Sequence, residues 1–147
     1  MSAPRMPIES GVPDPFQYMH PVLARNFGQW KYHERPRPGV LHHVSNNGED
    51  IWTVRAGTQR QMDLYTIRKL CDIADEFADG YIRFTIRSNL EFMVSDEAKV
   101  NPLIDKLLAE GFPVGGTGPS VSMIAHTQGW LHCDIPGTDA SGVVKAL

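Results

Sequence analysis

The chain has 147 residues, 41% of them hydrophobic and 21% charged, with a formal net charge of −3 and a pI of about 6.0. That length suits one domain, or one domain and part of another, and the acidic balance argues against non-specific nucleic-acid binding, which uses a basic surplus. No apolar run approaches the ~18 residues of a membrane span, the N-terminus MSAPRMPIESGVPDP lacks the apolar core of a signal peptide, and two cysteines make no disulfide framework, so a reducing cytoplasm is the expected compartment.

Residues 1–39 read as an arm. Pro4, Pro7, Pro13, Pro15, Pro21, Pro36 and Pro38 break any long regular element, and Val22 to Lys31 leaves room for one or two helical turns. Phe16, Tyr18, Phe27, Trp30 and Tyr32 make the arm too aromatic for a disordered tail; it packs either on a partner subunit or on its own domain.

Residues 40–112 read as one half-domain. Val40 to Val44 is a short apolar–polar stretch ending at the turn signal Asn46-Asn47-Gly48. Asp50 to Arg55 is a strand, with Trp52 and Val54 on one face and Ile51, Thr53 and Arg55 on the other. Asp63 is placed to cap a helix whose apolar stripe is Leu64, Ile67, Leu70, Cys71, Ala74 and Phe77, with Gly80 as its left-handed stop. Tyr81 to Val94 is a hairpin. Its first strand puts Ile82, Phe84 and Ile86 on one face and Arg83, Thr85 and Arg87 on the other; its second puts Leu90, Phe92 and Val94 opposite Asn89, Glu91 and Met93. Asp96 caps a second helix striped by Val100, Leu103, Ile104, Leu107 and Leu108 and stopped by Gly111.

The order strand, helix, strand, strand, helix is the split β-α-β of an α+β, ferredoxin-like half-domain. Both helices cover one face, toward which Trp52, Val54, Ile82, Phe84, Ile86, Leu90, Phe92 and Val94 turn. The other face carries Thr53, Arg55, Arg83, Thr85, Arg87, Asn89 and Glu91. Three arginines about 7 Å apart at an effective dielectric of ~20 repel by roughly 2 kcal/mol per pair. A bound anion relieves that repulsion, since arginine offers a planar, permanently charged fork for carboxylates and oxyanions. A solvated face, or neutralisation by Glu91, relieves it equally.

Residues 113–147 differ in character. Gly115-Gly116-Thr117-Gly118 is a glycine-rich loop without the Gly-Lys-Ser/Thr ending of a phosphate loop. Val121 to Cys133 reads as extended, and Asp139 or Ser141 is placed to cap a helix beginning at Gly142, which Leu147 interrupts within about one turn; the segment reads as the truncated start of a further domain. His126, His132 and Cys133 do not suffice for zinc, because no Cys-x-x-Cys pair closes a tetrahedral site. On the residues alone, Cys133 is a buried thiol, Trp130 a core residue and Cys71 a small core residue.

Four blocks in order change part of that reading: TIRSNLEF (85–92), GGTG (115–118), HTQGWLHC (126–133) and TDASG (138–142). Together they resemble the siroheme-dependent nitrite and sulfite reductases, over a stretch from about Asn26 to the end. The resemblance implies ferredoxin-like half-domains, siroheme coupled to a 4Fe–4S cluster, and six-electron interconversion of sulfite and sulfide in either direction. It also implies a companion α subunit in an α2β2 assembly and a small sulfur-carrier protein. Siroheme carries eight carboxylates, which makes Arg55, Arg83, Thr85, Arg87, Asn89, His126, Gln128 and Trp130 the implied cofactor-binding residues. Arg87 is the implied catalytic residue, approaching the face where the oxyanion sits.

Cys133 is the implied cluster ligand; a 4Fe–4S cluster takes four thiolates, so this chain supplies one of them and is expected to be inactive alone. One departure stands out. An oxyanion-binding arginine of assimilatory relatives falls near Ser122 here, and no arginine follows Arg87. The tetrapyrrole over this sheet is therefore expected to be a poor catalyst, with turnover relying on basic residues of the α subunit. Two alternatives are a non-catalytic ferredoxin-like module that binds an anion or partner, and a siroheme nitrite reductase.

Overall fold

The computed structural model describes residues 11, 14–59, 61–119, 121 and 137–146. Its elements are helix α1 (Pro21–Arg25), strands β1 (Trp30–Arg37), β2 (Val40–Ser45) and β3 (Asp50–Gly57), helix α2 (Leu64–Phe77), strands β4 (Ile82–Phe84) and β5 (Asn89–Val94), helix α3 (Val100–Ala109) and helix α4 (Ala140–Ala146). The five strands form one sheet in the order β1-β2-β3-β5-β4, and every neighbouring pair is antiparallel. Since β3 and β4 both run antiparallel to β5, they are parallel to each other with β5 inserted between them. This is the split β-α-β expected from the element order, widened by β1 and β2.

Helices α2 and α3 cover one face. Asp63 caps α2 by accepting the Thr66 amide at 2.7 Å, and Gly80 (φ +73°) closes it by donating to the Ala74 carbonyl at 3.0 Å. The core beneath joins Val40, Trp52, Val54, Leu90, Phe92 and Val94 of the sheet to Leu70, Ile73, Ala74, Leu103 and Leu107 of the helices. The stripe of α2 differs from the sequence expectation. Leu70, Ile73 and Ala74 are buried, whereas Leu64, Ile67 and Cys71 are exposed. An apolar arc wider than the contact extends past it, and Cys71 falls on the outer part of that arc. On α3, Leu108 is likewise exposed.

Three further expectations are corrected. Strand β4 stops at Phe84, so Ile86 lies in the hairpin turn at 97% exposure and Phe84 is largely exposed, instead of both facing the core. Thr85 accounts for the early end: Ser88 donates to its carbonyl at 3.0 Å, its own amide donates to the Asn89 carbonyl at 2.8 Å, and Ser88 takes φ +55°. The opposite face is not open throughout. Val22 and Leu23 of α1 pack there on Ile51 and Met93, with Trp30 and Tyr81 alongside. Finally, α4 begins at Ala140, two residues before Gly142; Asp139 accepts the Gly142 amide at 2.9 Å.

Of the two readings of the arm, its described part packs on its own domain. His20 Nδ1 accepts the Val22 amide at 3.2 Å, and His20 Nε2 stands 3.4 Å from Asp79 Oδ2, clipping α1 to the start of the hairpin. Asp96 caps a single 3-10 turn (Glu97–Lys99) that leads directly into α3.

Candidate functional site

On the face away from the helices, the register sets Arg55 opposite Glu91 and Arg83 opposite Glu91 on its other side. Glu91 is fully buried and takes both: Arg55 Nε donates to Oε1 at 2.8 Å, a second Arg55 nitrogen shares that oxygen, and Arg83 donates to Oε2. Arg55 Nη1 also donates to the Gly116 carbonyl at 2.7 Å. All three Arg55 nitrogens therefore have protein acceptors. The like-charge repulsion read from the sequence is relieved internally, at least at Arg55 and Arg83, by the carboxylate between them.

The glycine-rich loop docks along β3. Gly57 donates to Pro113 O at 2.7 Å, Gly115 to Arg55 O at 3.1 Å, and Gly39 to Thr117 Oγ1 at 2.8 Å. Gly39 (φ +79°) permits the close approach, since a Cβ there would stand 2.6 Å from the Gly115 nitrogen. The loop and the hairpin turn bound an open cavity of about 570 Å³ lined by Arg55, Arg83, Thr85, Arg87, Thr117 and Gly118, with Leu41, Phe84 and Ile86 at its apolar margin. Arg87 thus reaches the cavity from the turn, not from a strand. Thr85 Oγ1 accepts the Asn89 amide at 3.1 Å, which ties the turn to β5. Asn89 lines two neighbouring recesses beside the same loop, one of them reaching to Gly115 and Gly116. Its side chain is buried, and its Nδ2 has no hydrogen-bond partner among the described residues. A buried donor left unpaired costs about 1–3 kcal/mol, so Asn89 is the group on this face that most clearly wants a ligand acceptor.

Of the expected site residues, Arg55, Arg83, Thr85 and Arg87 meet at the cavity and Asn89 lies beside it. His126, Gln128, Trp130 and Cys133 lie outside the described residues. Two participants went unrecognised. Glu91 read as a general neutraliser and is the specific counter-ion of two arginines. Arg35 lies against Gly118 at the cavity edge, where a Cβ on that glycine would overlap its guanidinium. It escaped notice because Pro36 and Pro38 mask a strand; β1 is an edge strand, where proline is tolerated. The alternation His33, Arg35 against Glu34 was the available signal.

A histidine group lies farther along. His42 stacks on Trp52 (centroids 3.9 Å apart) and lies between Glu34 at 2.7 Å and Asp50 at 2.9 Å. Burial opposes its protonation, yet those two carboxylates hold its pKa above the ordinary value. His43, on the arginine face, is lowered to about 4 by burial and by neighbouring His33.

The chain resembles known proteins along most of its length. Residues 43–110 match the nitrite/sulfite reductase ferredoxin-like half domain. The dissimilatory-type sulfite reductase subunit beta of Archaeoglobus fulgidus is 52% identical over 136 residues, which is 88% of this chain and 37% of the relative. The subunit of the same name from Nitratidesulfovibrio vulgaris is 51% identical over 138 residues, 89% of this chain and 36% of the relative. That of Megalodesulfovibrio gigas is 49% identical over 138 residues, 89% of this chain and 53% of the relative. The chain therefore spans between about a third and a half of the length of these curated relatives. It belongs to the nitrite/sulfite reductase family, and residues 43–110 are its ferredoxin-like half domain.

Proposed function

We propose that this chain acts within a dissimilatory-type sulfite reductase beta subunit, in a complex with an alpha subunit, and that its arginine face seats the carboxylates of siroheme. The observation that carries the reading is the convergence on one face of three arginines and a buried amide donor with no acceptor among the described residues. A tetrapyrrole rimmed with carboxylates fits such donors. Arg83 and Arg87 bind carboxylates at the cavity, Asn89 supplies its Nδ2 hydrogen, and Arg55 is a fixed cation whose orientation Glu91 and Gly116 set. Leu41, Phe84 and Ile86 supply apolar contact for the macrocycle. When bound, siroheme would supply the iron and its coupled 4Fe–4S cluster would relay electrons, one or two at a time, between that iron and an external redox protein, as a six-electron sulfite–sulfide interconversion requires.

Cys133 is proposed as one of the four cluster thiolates, and His126, Gln128 and Trp130 as further cofactor contacts. Arg87 is the residue proposed to meet the oxyanion. With Arg55 held by Glu91 and the Gly116 carbonyl, the face is better supplied to hold a cofactor than to drive turnover. The alpha subunit then provides the remaining basic residues, an α2β2 assembly is the expected form, and the product sulfur passes to a small carrier protein.

The test is the visible spectrum and turnover of the full-length protein co-expressed with its alpha subunit. Siroheme bands together with sulfite turnover exceeding nitrite turnover are expected. A colourless, folded complex would overturn the reading in favour of an anion-binding module, and preferred nitrite turnover in favour of a nitrite reductase. Arg87→Ala in that complex is expected to lower siroheme content while sparing sulfite turnover per complex; a large loss of sulfite reduction would instead make Arg87 catalytic.

A further inference from the structure

His33 on β1 and His43 on β2 are direct cross-strand partners, and their rings meet with Nδ1 2.7 Å from Nδ1. We propose that this pair is a bidentate site for a divalent first-row transition cation of the copper(II) or nickel(II) class. The proposal does not rest on the siroheme reading. Spacing is the first support. Two metal–nitrogen bonds of ~2.05 Å set the nitrogens about 2.9 Å apart at a right angle and about 3.3 Å apart at a tetrahedral angle. The observed 2.7 Å is the hydrogen-bonded separation of the metal-free pair; it opens by about 0.2 Å to reach the first value and by about 0.6 Å to reach the second, so the smaller movement favours ions with tetragonal or octahedral preferences over tetrahedral zinc.

Orientation is the second. His43 Nε2 faces Thr53 Oγ1 at 3.5 Å, and a hydrogen on Nε2 directed there leaves Nδ1 as a lone pair toward His33. Such an outer acceptor commonly fixes the tautomer of a metal-bound histidine. Access is the third. His33 is exposed, while the Trp30 ring packs beside both imidazoles, 5.7 Å from His33 and 6.1 Å from His43 between centroids. Without metal, the pair shares a hydrogen between the two Nδ1 atoms. With metal, His33 carries its hydrogen on Nε2, so both Nδ1 lone pairs bind the cation without net proton loss. No group of three or more histidine, cysteine, aspartate or glutamate side chains converges among the described residues, so the described residues supply two ligands, and the proposal assigns the remaining positions to water.

The test titrates the chain carrying Cys71→Ser and Cys133→Ser, which removes both thiols of the sequence, with copper(II) chloride and then nickel(II) and zinc(II) chlorides. Tryptophan quenching gives affinity, and electron paramagnetic resonance of the copper form gives the ligand set. The expected result is a 1:1 site with two-imidazole coordination and nickel bound more tightly than zinc. His33→Ala, a surface change that should leave the fold intact by circular dichroism, removes the two-nitrogen signal and weakens binding by at least about ten-fold, and Thr53→Val weakens it by about ten-fold. Unchanged copper binding in a folded His33→Ala variant, or a copper signal without two imidazoles, would mean an adventitious ion only and overturn the proposal. Zinc bound more tightly than nickel would overturn the assigned metal class.

Discussion

Glu91 is the residue whose removal should reveal most about the arginine face. In Glu91→Gln the shape is kept, one acceptor oxygen remains, and an amide hydrogen pair turns toward a guanidinium. Removing one partner of a buried ion pair costs about 3–5 kcal/mol, but the two arginines differ. Arg83 is 58% exposed and returns to water, so its share falls toward the ~0–1 kcal/mol of surface pairs. Arg55 is only 17% exposed and is left with Gly116 O and, at most, the one neutral amide oxygen in place of a carboxylate. The net loss should therefore be about 2–4 kcal/mol, a fall in Tm of roughly 5–15 °C. Urea denaturation measures it, with an unchanged m-value as the sign that only stability moved. Adding Arg55→Met should return about 1–3 kcal/mol, because a buried pair replaced as a whole by neutral groups is close to neutral. A loss below ~0.5 kcal/mol for the single change, or a double variant less stable than the single one, would refute the counter-ion role.

Other outcomes follow from the same geometry. Asp63→Ala should lower stability by about 1 kcal/mol through the lost cap on the Thr66 amide, read by thermal melting of the helical signal. Gly39→Ala should cost roughly 2–4 kcal/mol, since it adds a Cβ 2.6 Å from the Gly115 nitrogen to a positive-φ penalty, whereas Gly28→Ala (φ +72°, open space) should cost only about 1–2 kcal/mol. Burial lowers the pKa of His20 despite the opposing pull of Asp79. The unfolded chain then takes up this proton more readily than the folded one, and the stability His20 contributes is full above ~6.5 and declines as pH falls below that value. Denaturation of the wild type and His20→Gln at pH 7.5 and pH 5 should show the larger loss in the wild type. His42, with its pKa raised, has the opposite sign in both proteins and cancels in the comparison.

Much of this was legible from side-chain periodicity. Period two assigned Ile51 to Arg55 of β3 and Asn89 to Val94 of β5 to their correct faces, though β3 runs on to Gly57, and the cap at Asp63 and the stop at Gly80 marked α2 because both are local backbone requirements. Periodicity could not say where an element stops when the chain beyond it keeps alternating. Ile86 continues the pattern of Ile82 and Phe84, yet hydrogen bonds from the Thr85 backbone turn the chain one residue earlier. Nor could it separate a wide apolar arc from a contact: Leu64, Ile67 and Cys71 match the helical period as well as Leu70 and Ala74, and only the position of the sheet decides between them. β1 was hidden for a different reason, because its prolines are tolerated only at an edge, and edge status is a property of the sheet rather than of the segment.

The division of labour among the arginines follows from the same limit. On the sequence, Arg55, Arg83 and Arg87 are equivalent cations on one face. In the fold they are not, because the register places Glu91 between the first two and the glycine loop supplies Arg55 with a carbonyl. Arg55 is thereby held in place before any ligand arrives, with its orientation set on three nitrogens. Arg83 donates to the other carboxylate oxygen alone, is largely solvent-exposed and can turn toward a ligand with little loss. An anion entering the cavity thus meets a fixed charge at the back and an adjustable one at the mouth. That arrangement lowers the ordering cost of binding and moderates the positive field that three unneutralised arginines would create. It also explains why Glu91, and not another basic residue, is the change that would most alter what this face can hold: a neutral residue there releases Arg55 from its orientation and raises the charge of the face in one step.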